Sequence, residues 1–223
     1  MRPSPSPSTV SSAPSARRAT PGSAAAVGAP ARRPRPAARS DNRGAEVLGA
    51  AARLFREKGY AFTSMRDIAA GAGMLAGSLY YHFASKEELL VAVYAEGVGR
   101  ISAAVEAAFD ASADPWQQLE QVCAAHLAAL LETSDYAQVV IRVRPDDAPE
   151  VADELIGLRD AYEKVFSRAI AALPLDGRAD RRALKLMLLG ALNWSQTWYR
   201  PGRDSPRALA RRFVRLLRDA AGA

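Results

Sequence analysis

The stretch Thr63-Ser-Met-Arg-Asp-Ile-Ala-Ala-Gly-Ala-Gly-Met-Leu-Ala-Gly-Ser-Leu-Tyr-Tyr-His-Phe-Ala-Ser-Lys-Glu-Glu-Leu89 decides the fold. Ser64 with Asp67 three residues on is a capping-box start, Asp standing in for the usual Glu. It opens a short helix that carries Ile68 and Ala69 inward and stops at Gly71 and Gly73. A second short helix follows from Ala76 to His82, and Ser85-Lys-Glu-Glu88 caps a third, longer one. Two short helices joined by a glycine-containing turn form a helix-turn-helix pattern. Ala69, Ala70, Gly71, Ala72 and Gly73 are small enough for the close approach at that turn. Leu79 and Phe83 can anchor the second helix, which leaves Gly77, Ser78, Tyr80, Tyr81 and His82 facing outward. Such a helix fits the major groove, where its first residues reach base edges while hydroxyls and amines hold phosphates.

Outward from this stretch the chain reads as helical throughout. Upstream, Val47, Leu48, Ala51, Leu54 and Phe55 make one apolar face over Arg43 to Lys58, stopped by Gly59. Downstream, Leu89, Val93, Ile101, Val105 and Phe109 extend the capped helix. Asp114-Pro115 starts the next, with Leu119, Val122, Cys123, His126, Leu127 and Leu130 on or beside one face. The pattern breaks from Arg144 to Pro149, resumes from Val151 to Leu173, and continues from about Asp180 to Tyr199. Ser205-Pro206 caps a last helix that sets Leu209, Phe213, Leu216, Leu217 and Ala220 against Arg211, Arg212, Arg215 and Arg218. The expected class is all-α, with about nine helices. The expected division is a tail over 1–40, a helix-turn-helix domain over 41–88, and a helical effector-binding and dimerisation domain over 89–223.

Charge is distributed unevenly. The 223 residues carry 30 Lys+Arg against 24 Asp+Glu, a net of +6. Arg2, Arg17, Arg18, Arg32, Arg33, Arg35 and Arg39 precede residue 41 with no acid among them, so the remainder is close to neutral. The first 40 residues also hold eight of the 14 prolines and no aromatic residue. They bury too little to offset the entropy of ordering and are expected to be a disordered basic tail. Their prolines and arginines interrupt any signal-peptide core, and the prolines oppose the amphipathic helix of a transit peptide. No apolar run is long enough to cross a membrane. Cys123 is the sole cysteine, which rules out an internal disulfide. With only two histidines beside it, a metal site is not expected. No GxSxG elbow, P-loop or HExxH appears, so the reading is a non-enzyme without cofactor, and cytoplasmic.

The quoted stretch, with the helix before it, resembles the N-terminal domain of TetR-family transcriptional regulators over about residues 42 to 95. The string Gly77-Ser-Leu-Tyr-Tyr-His-Phe-Ala-Ser-Lys86 carries most of that likeness. The resemblance implies a bacterial, ligand-responsive repressor. Its homodimer reads a palindromic operator in double-stranded DNA and pairs through its last two helices. By position it implies DNA contacts from Ala76, Gly77, Ser78, Tyr80, Tyr81, His82 and Lys86, and from the hydroxyls of Thr63 and Ser64, with Arg66 as a contributor. The family often has Ser or Thr and a polar residue where this chain has Leu75 and Ala76, which shifts readout toward methyl contacts and DNA shape. Asn193-Trp-Ser-Gln-Thr-Trp-Tyr-Arg-Pro-Gly202 is similar to regulators of acyl-CoA, lipid or sterol breakdown, implying a CoA thioester or other amphipathic effector. Alternatives are a helical interaction module without DNA binding, or a repressor of efflux genes that answers hydrophobic drugs.

Candidate effector contacts are Ile101, Val105, Phe109, Cys123, His126, Arg142, Tyr162, Phe166 and Asn193. His126 reads as a satisfied core histidine or as a pocket donor. Arg142 and Arg144 read as a solvated loop or as a clamp for an acid. Candidate dimer contacts are Leu184, Leu188, Trp194, Trp198, Leu209, Phe213, Leu216 and Leu217. The tail is expected to add sequence-independent phosphate affinity. Deleting residues 1–40 should weaken DNA binding and flatten its salt dependence without changing operator choice, which titrations at several salt concentrations will read. An unchanged salt slope removes the tail from the interface.

Overall fold

A computed structural model describes residues 36–131 and 134–221. The tail expectation for 1–35 therefore lies outside the described residues. Nine α-helices and two single 3-10 turns make up the described chain, and no strand occurs among the described residues. The helices are α1 (Pro36–Lys58), α2 (Met65–Gly71), α3 (Ala76–His82), α4 (Lys86–Ala108), α5 (Pro115–Leu131), α6 (Asp135–Arg142), α7 (Ala152–Ala171), α8 (Arg181–Trp198) and α9 (Pro206–Ala220). The 3-10 turns, Pro145–Asp147 and Pro149–Val151, fill the link from α6 to α7.

Local chemistry sets most of these ends. The Ser64 hydroxyl accepts from the Asp67 amide at 3.2 Å, and the Asp67 carboxylate accepts from the Ser64 amide at 3.0 Å, completing the box with Asp. Ser85, Asp180 and Ser205 cap α4, α8 and α9 through side-chain oxygens. Asp114 accepts from the amides of Trp116 and Gln117 ahead of α5. Gly59, at φ +89, takes the left-handed conformation that ends α1.

Two expectations change. α1 begins at Pro36, so residues 36–40 belong to a helix rather than to the tail. A truncation that spares this helix stops at Arg35. The pattern begun at Asp114 is also two helices, since α5 ends at Leu131 and α6 starts at Asp135 after an extended Ser134.

Two apolar cores stack along the molecule. The first joins α1, α2 and α3 to α6 and the opening half of α4, through Val47, Phe55, Ile68, Leu79, Leu90, Val93 and Val139. The second joins α5, α7, α8 and α9 to Val105 near the end of α4. α7 also serves both, with Leu155 in the first and Phe166 and Ile170 in the second. The expected division at residue 88 falls inside α4, and no break in packing occurs there.

α6 crosses α4 with almost no space between backbones. A Cβ built on Gly97 would lie 2.7 Å from a Val140 methyl and 2.9 Å from the Tyr136 carbonyl oxygen. The carbonyl is backbone, so a side-chain shift cannot relieve the clash. Gly97→Ala should cost about 1–3 kcal/mol by overpacking, read from urea midpoints. Gly99→Ala, where the added Cβ meets open space, should be neutral or stabilising by up to about 1 kcal/mol. Equal behaviour of the two would show that the close approach is not a constraint.

Candidate functional site

α3 is held by few groups and exposes the rest. Leu79 is its one fully buried side chain, and Phe83 at its end is half-buried. Its N-cap is Leu75, which makes no side-chain cap bond and is 80% exposed. Gly77, Ser78, Tyr80 and Tyr81 face outward, Tyr81 at 89% exposure, while Ala76 and His82 are half-buried. The His82 ring meets Tyr81 edge-on at 5.7 Å. Arg66 is exposed on α2. Phe62, unmarked by any sequence pattern, is 83% exposed just before α2.

Three expected DNA contacts have internal partners. Thr63 is buried, and its hydroxyl donates to the Gly59 carbonyl at 2.8 Å, pinning the loop to the end of α1. In this structure it anchors the loop and presents no hydroxyl at the surface. Ser64 is exposed, but its hydroxyl donates to Asp67 at 2.7 Å while also capping α2. The two bonds to Ser64 hold the Asp67 carboxyl below its usual range. Lys86 donates to the Tyr60 carbonyl at 3.1 Å and lies 4.3 Å above the Tyr60 ring. An ammonium has three donors, so two remain for an outside acceptor. The Tyr60 hydroxyl donates to Glu87 at 2.9 Å, and burial first, then that carboxylate, pushes the phenol up.

A cavity of about 930 Å³ lies between α4, α5, α6, α7 and α8. It brings together Ile101, His126, Arg142, Tyr162 and Asn193 from the sequence candidates. Four others do not line it. Val105, Cys123 and Phe166 point into the second core, and Phe109, at the end of α4, is exposed on an outer groove. Position along α4 explains part of this, because Val105 lies a turn past Ile101, beyond the reach of the cavity. The wall also includes Arg144 and Arg159, so three guanidiniums face one lining carboxylate, Glu163. Arg159 carried no sequence signal beyond its place one turn before Tyr162. It pairs with Asp160 at 3.3 Å and Glu163 at 3.7 Å, while Lys185 meets Glu163 at 3.1 Å.

The cavity wall holds a polar row centred on the buried His126. His126 Nδ1 lies 2.7 Å from the Tyr162 hydroxyl, and Nε2 lies 3.0 Å from Asn193 Oδ1. Burial pushes the imidazole down to about 4, against the opposing bond from Asn193. Burial likewise pushes the Tyr162 phenol up, and it pushes the Cys123 thiol up well above its ordinary range.

The dimer candidates divide by helical face. Leu188, Leu209 and Leu217 are buried in the second core, so they are not free for a partner; Leu184 and Phe213 pack partly on that core. Trp194, Trp198 and Leu216 are exposed, and Leu186 and Met187 join them. α8 is apolar on two sides, and its sequence does not state which one the monomer covers.

Among the described residues no cluster of His, Cys, Asp or Glu could hold a metal, and no helix is long and apolar enough to cross a membrane. The arrangement is a helix-turn-helix with an outward second helix, joined to a helical domain with a basic-walled cavity. The family model for bacterial regulatory proteins of the tetR family matches residues 47–93. That for the tetracyclin repressor-like C-terminal domain matches residues 112–221. The transcriptional repressor KstR2 of Mycobacterium tuberculosis is 38% identical over 120 residues, which is 54% of this chain and 58% of that protein. KstR2 of Rhodococcus jostii is 30% identical over 192 residues, covering 78% of this chain and 88% of that one. The matched stretch thus spans little more than half the length of the mycobacterial relative. The crystal structure of AibR in complex with isovaleryl coenzyme A and operator DNA has a TM-score of 0.66 at 25% identity, covering 78% of this chain and 97% of that one. This chain belongs to the TetR family of bacterial regulatory proteins.

The depressed imidazole has a consequence for stability. Its unfolded value is near 6.5 and its folded value about 4, so between those pH values the unfolded chain binds the extra proton. Folding stability contributed by neutral His126 is complete above the unfolded value and is lost as pH falls. From pH 7 to pH 5, wild type should lose roughly 2 kcal/mol more than His126→Gln, read from urea midpoints at both pH values. Parallel losses would contradict the buried neutral imidazole.

Proposed function

We propose that this chain is a ligand-responsive transcriptional repressor that binds a palindromic operator as a homodimer. One observation carries the reading. α3 buries only Leu79 fully and turns Gly77, Ser78, Tyr80 and Tyr81 to solvent, a surface with no packing task. Lys86 at the start of α4 and Arg66 on α2 supply cations for phosphates flanking that groove. In this reading 41–88 carries the DNA contacts and 89–223 the effector and partner contacts. Two copies must present their α3 helices about 34–36 Å apart, or a compatible multiple, to enter successive major grooves. The apolar face of Leu186, Met187, Trp194 and Trp198 on α8, with Leu216 on α9, supports pairing through those helices.

The effector is an acyl-CoA-type thioester. Arg142, Arg144 and Arg159 on the cavity wall suit phosphates, and the apolar remainder suits an acyl group. The AibR complex with isovaleryl coenzyme A lends support. The three arginines weigh against a cationic hydrophobic drug. α6 links the cavity to the DNA-contacting helices. Asp135 at its start pairs with Arg56 of α1 at 2.9 Å, and Arg142 at its end lines the cavity. A ligand that prefers another placement of α6 weakens DNA binding by its differential affinity for the two states.

The test is an operator selected from genomic DNA with the full-length protein. The Tyr80→Ala, Lys86→Ala double variant should lose about 30-fold or more in affinity while remaining fully helical by circular dichroism at the assay temperature. Isovaleryl-CoA or octanoyl-CoA should release the wild-type complex. Normal operator binding by the double variant would refute the interface. Release by uncharged hydrophobic drugs alone would refute the thioester.

A further inference from the structure

His126, Tyr162 and Asn193 tie α5, α7 and α8 together with polar bonds where apolar contact alone would serve. His126 is buried and its ring meets Phe166 edge-on at 5.4 Å. Tyr162 and Asn193 sit at either end of the row and line the cavity. A neutral imidazole has one proton for two nitrogens, so the row admits two arrangements. With the proton on Nε2, it donates to Asn193 Oδ1 and the Tyr162 hydroxyl donates to Nδ1. The Asn193 amide N–H groups and the spare lone pair of Tyr162 are then unspent within the row. With the proton on Nδ1 and the Asn193 amide turned over, the Tyr162 O–H is free to donate and Asn193 Oδ1 is free to accept. Either way the row offers at least one donor and at least one acceptor without any charge.

We propose that this row recognises an uncharged oxygen, a ketone or a hydroxyl, on the acyl part of the effector, which is therefore an oxygenated acyl group and not a plain hydrocarbon chain. The inference rests on the cavity being the effector site. A ketone takes the free donor in either arrangement, and a hydroxyl engages both ends. A second carboxylate on the acyl part would call for an imidazolium, which the burial of His126 opposes. The anionic end of the ligand is already matched by Arg142, Arg144 and Arg159.

Calorimetric titration tests this with octanoyl-CoA and its keto derivatives, a set of isomers carrying the ketone at successive chain carbons. At least one keto isomer should bind wild type about 10-fold more tightly than octanoyl-CoA. Tyr162→Phe and Asn193→Ala should each abolish that preference, so that in each variant the keto compound and octanoyl-CoA bind within about 2-fold of one another. Equal binding of all isomers overturns the proposal, as does a preference that survives both substitutions. A row that serves only as a structural tie would give lower melting temperatures in the variants and no keto preference in wild type. If no thioester binds, the effector class fails by itself, and the row is judged with cyclohexanone against methylenecyclohexane. Cyclohexanone alone should then shift the imidazole nitrogen resonances of His126, one of two histidines in the chain. No shift overturns the proposal.

Discussion

Everything in this molecule depends on two helices, α4 and α7, being shared by two cores. Leu89 to Val98 of α4 pack among the DNA-side helices, while Val105 packs among α5, α7, α8 and α9. A side chain buried in either core fixes the helix in both, because α4 runs unbroken from Lys86 to Ala108. Gly97 is where α6 presses closest. Interiors packed this tightly respond to displacement by shifting whole elements. A change at the cavity wall can therefore reach α1 and the start of α4 without a dedicated hinge.

The charged groups follow a different economy. Most ion pairs are exposed or half-exposed, such as Arg43 with Glu46 and Arg212 with Asp204, and each contributes little. The polar bonds with structural weight are short-range caps and the two buried anchors, Thr63 on α1 and the His126 row. The Thr63 hydroxyl and both His126 ring nitrogens have partners, which is the condition for burying such groups at all. No buried side-chain nitrogen or oxygen lacks a partner among the described residues.

The helix-turn-helix was legible because its signals are local. Ser64, Asp67, Gly73 and Ser85 act within a few residues of themselves, and the structure uses each as its spacing suggests. The family resemblance reached the same place. The facing of side chains was less legible, since it is set by which neighbour arrives. Thr63 looked like a surface hydroxyl and is an internal anchor. Leu188, Leu209 and Leu217 looked like partner contacts and fill the monomer core, whereas Leu186 and Met187 carry the exposed face. Val105, Cys123 and Phe166 have the right character for a pocket but fill the second core. The break before α6 was hidden because the apolar pattern runs through it. Arg159 could not be singled out among the many arginines of the chain.

The contrast between α3 and the cavity has a further meaning for how such a chain can change over generations. Gly77, Ser78 and Tyr81 touch little of the protein's interior, so replacing them leaves the fold intact. The outer face of α3 can change by single steps, each nearly free of a folding penalty. The cavity wall has no such freedom. His126 and Tyr162 are at once cavity wall and core, packed on Phe166, so most substitutions there also disturb the packing of α5 and α7. The fold thus leaves one of its surfaces open to change and ties the other to its own stability.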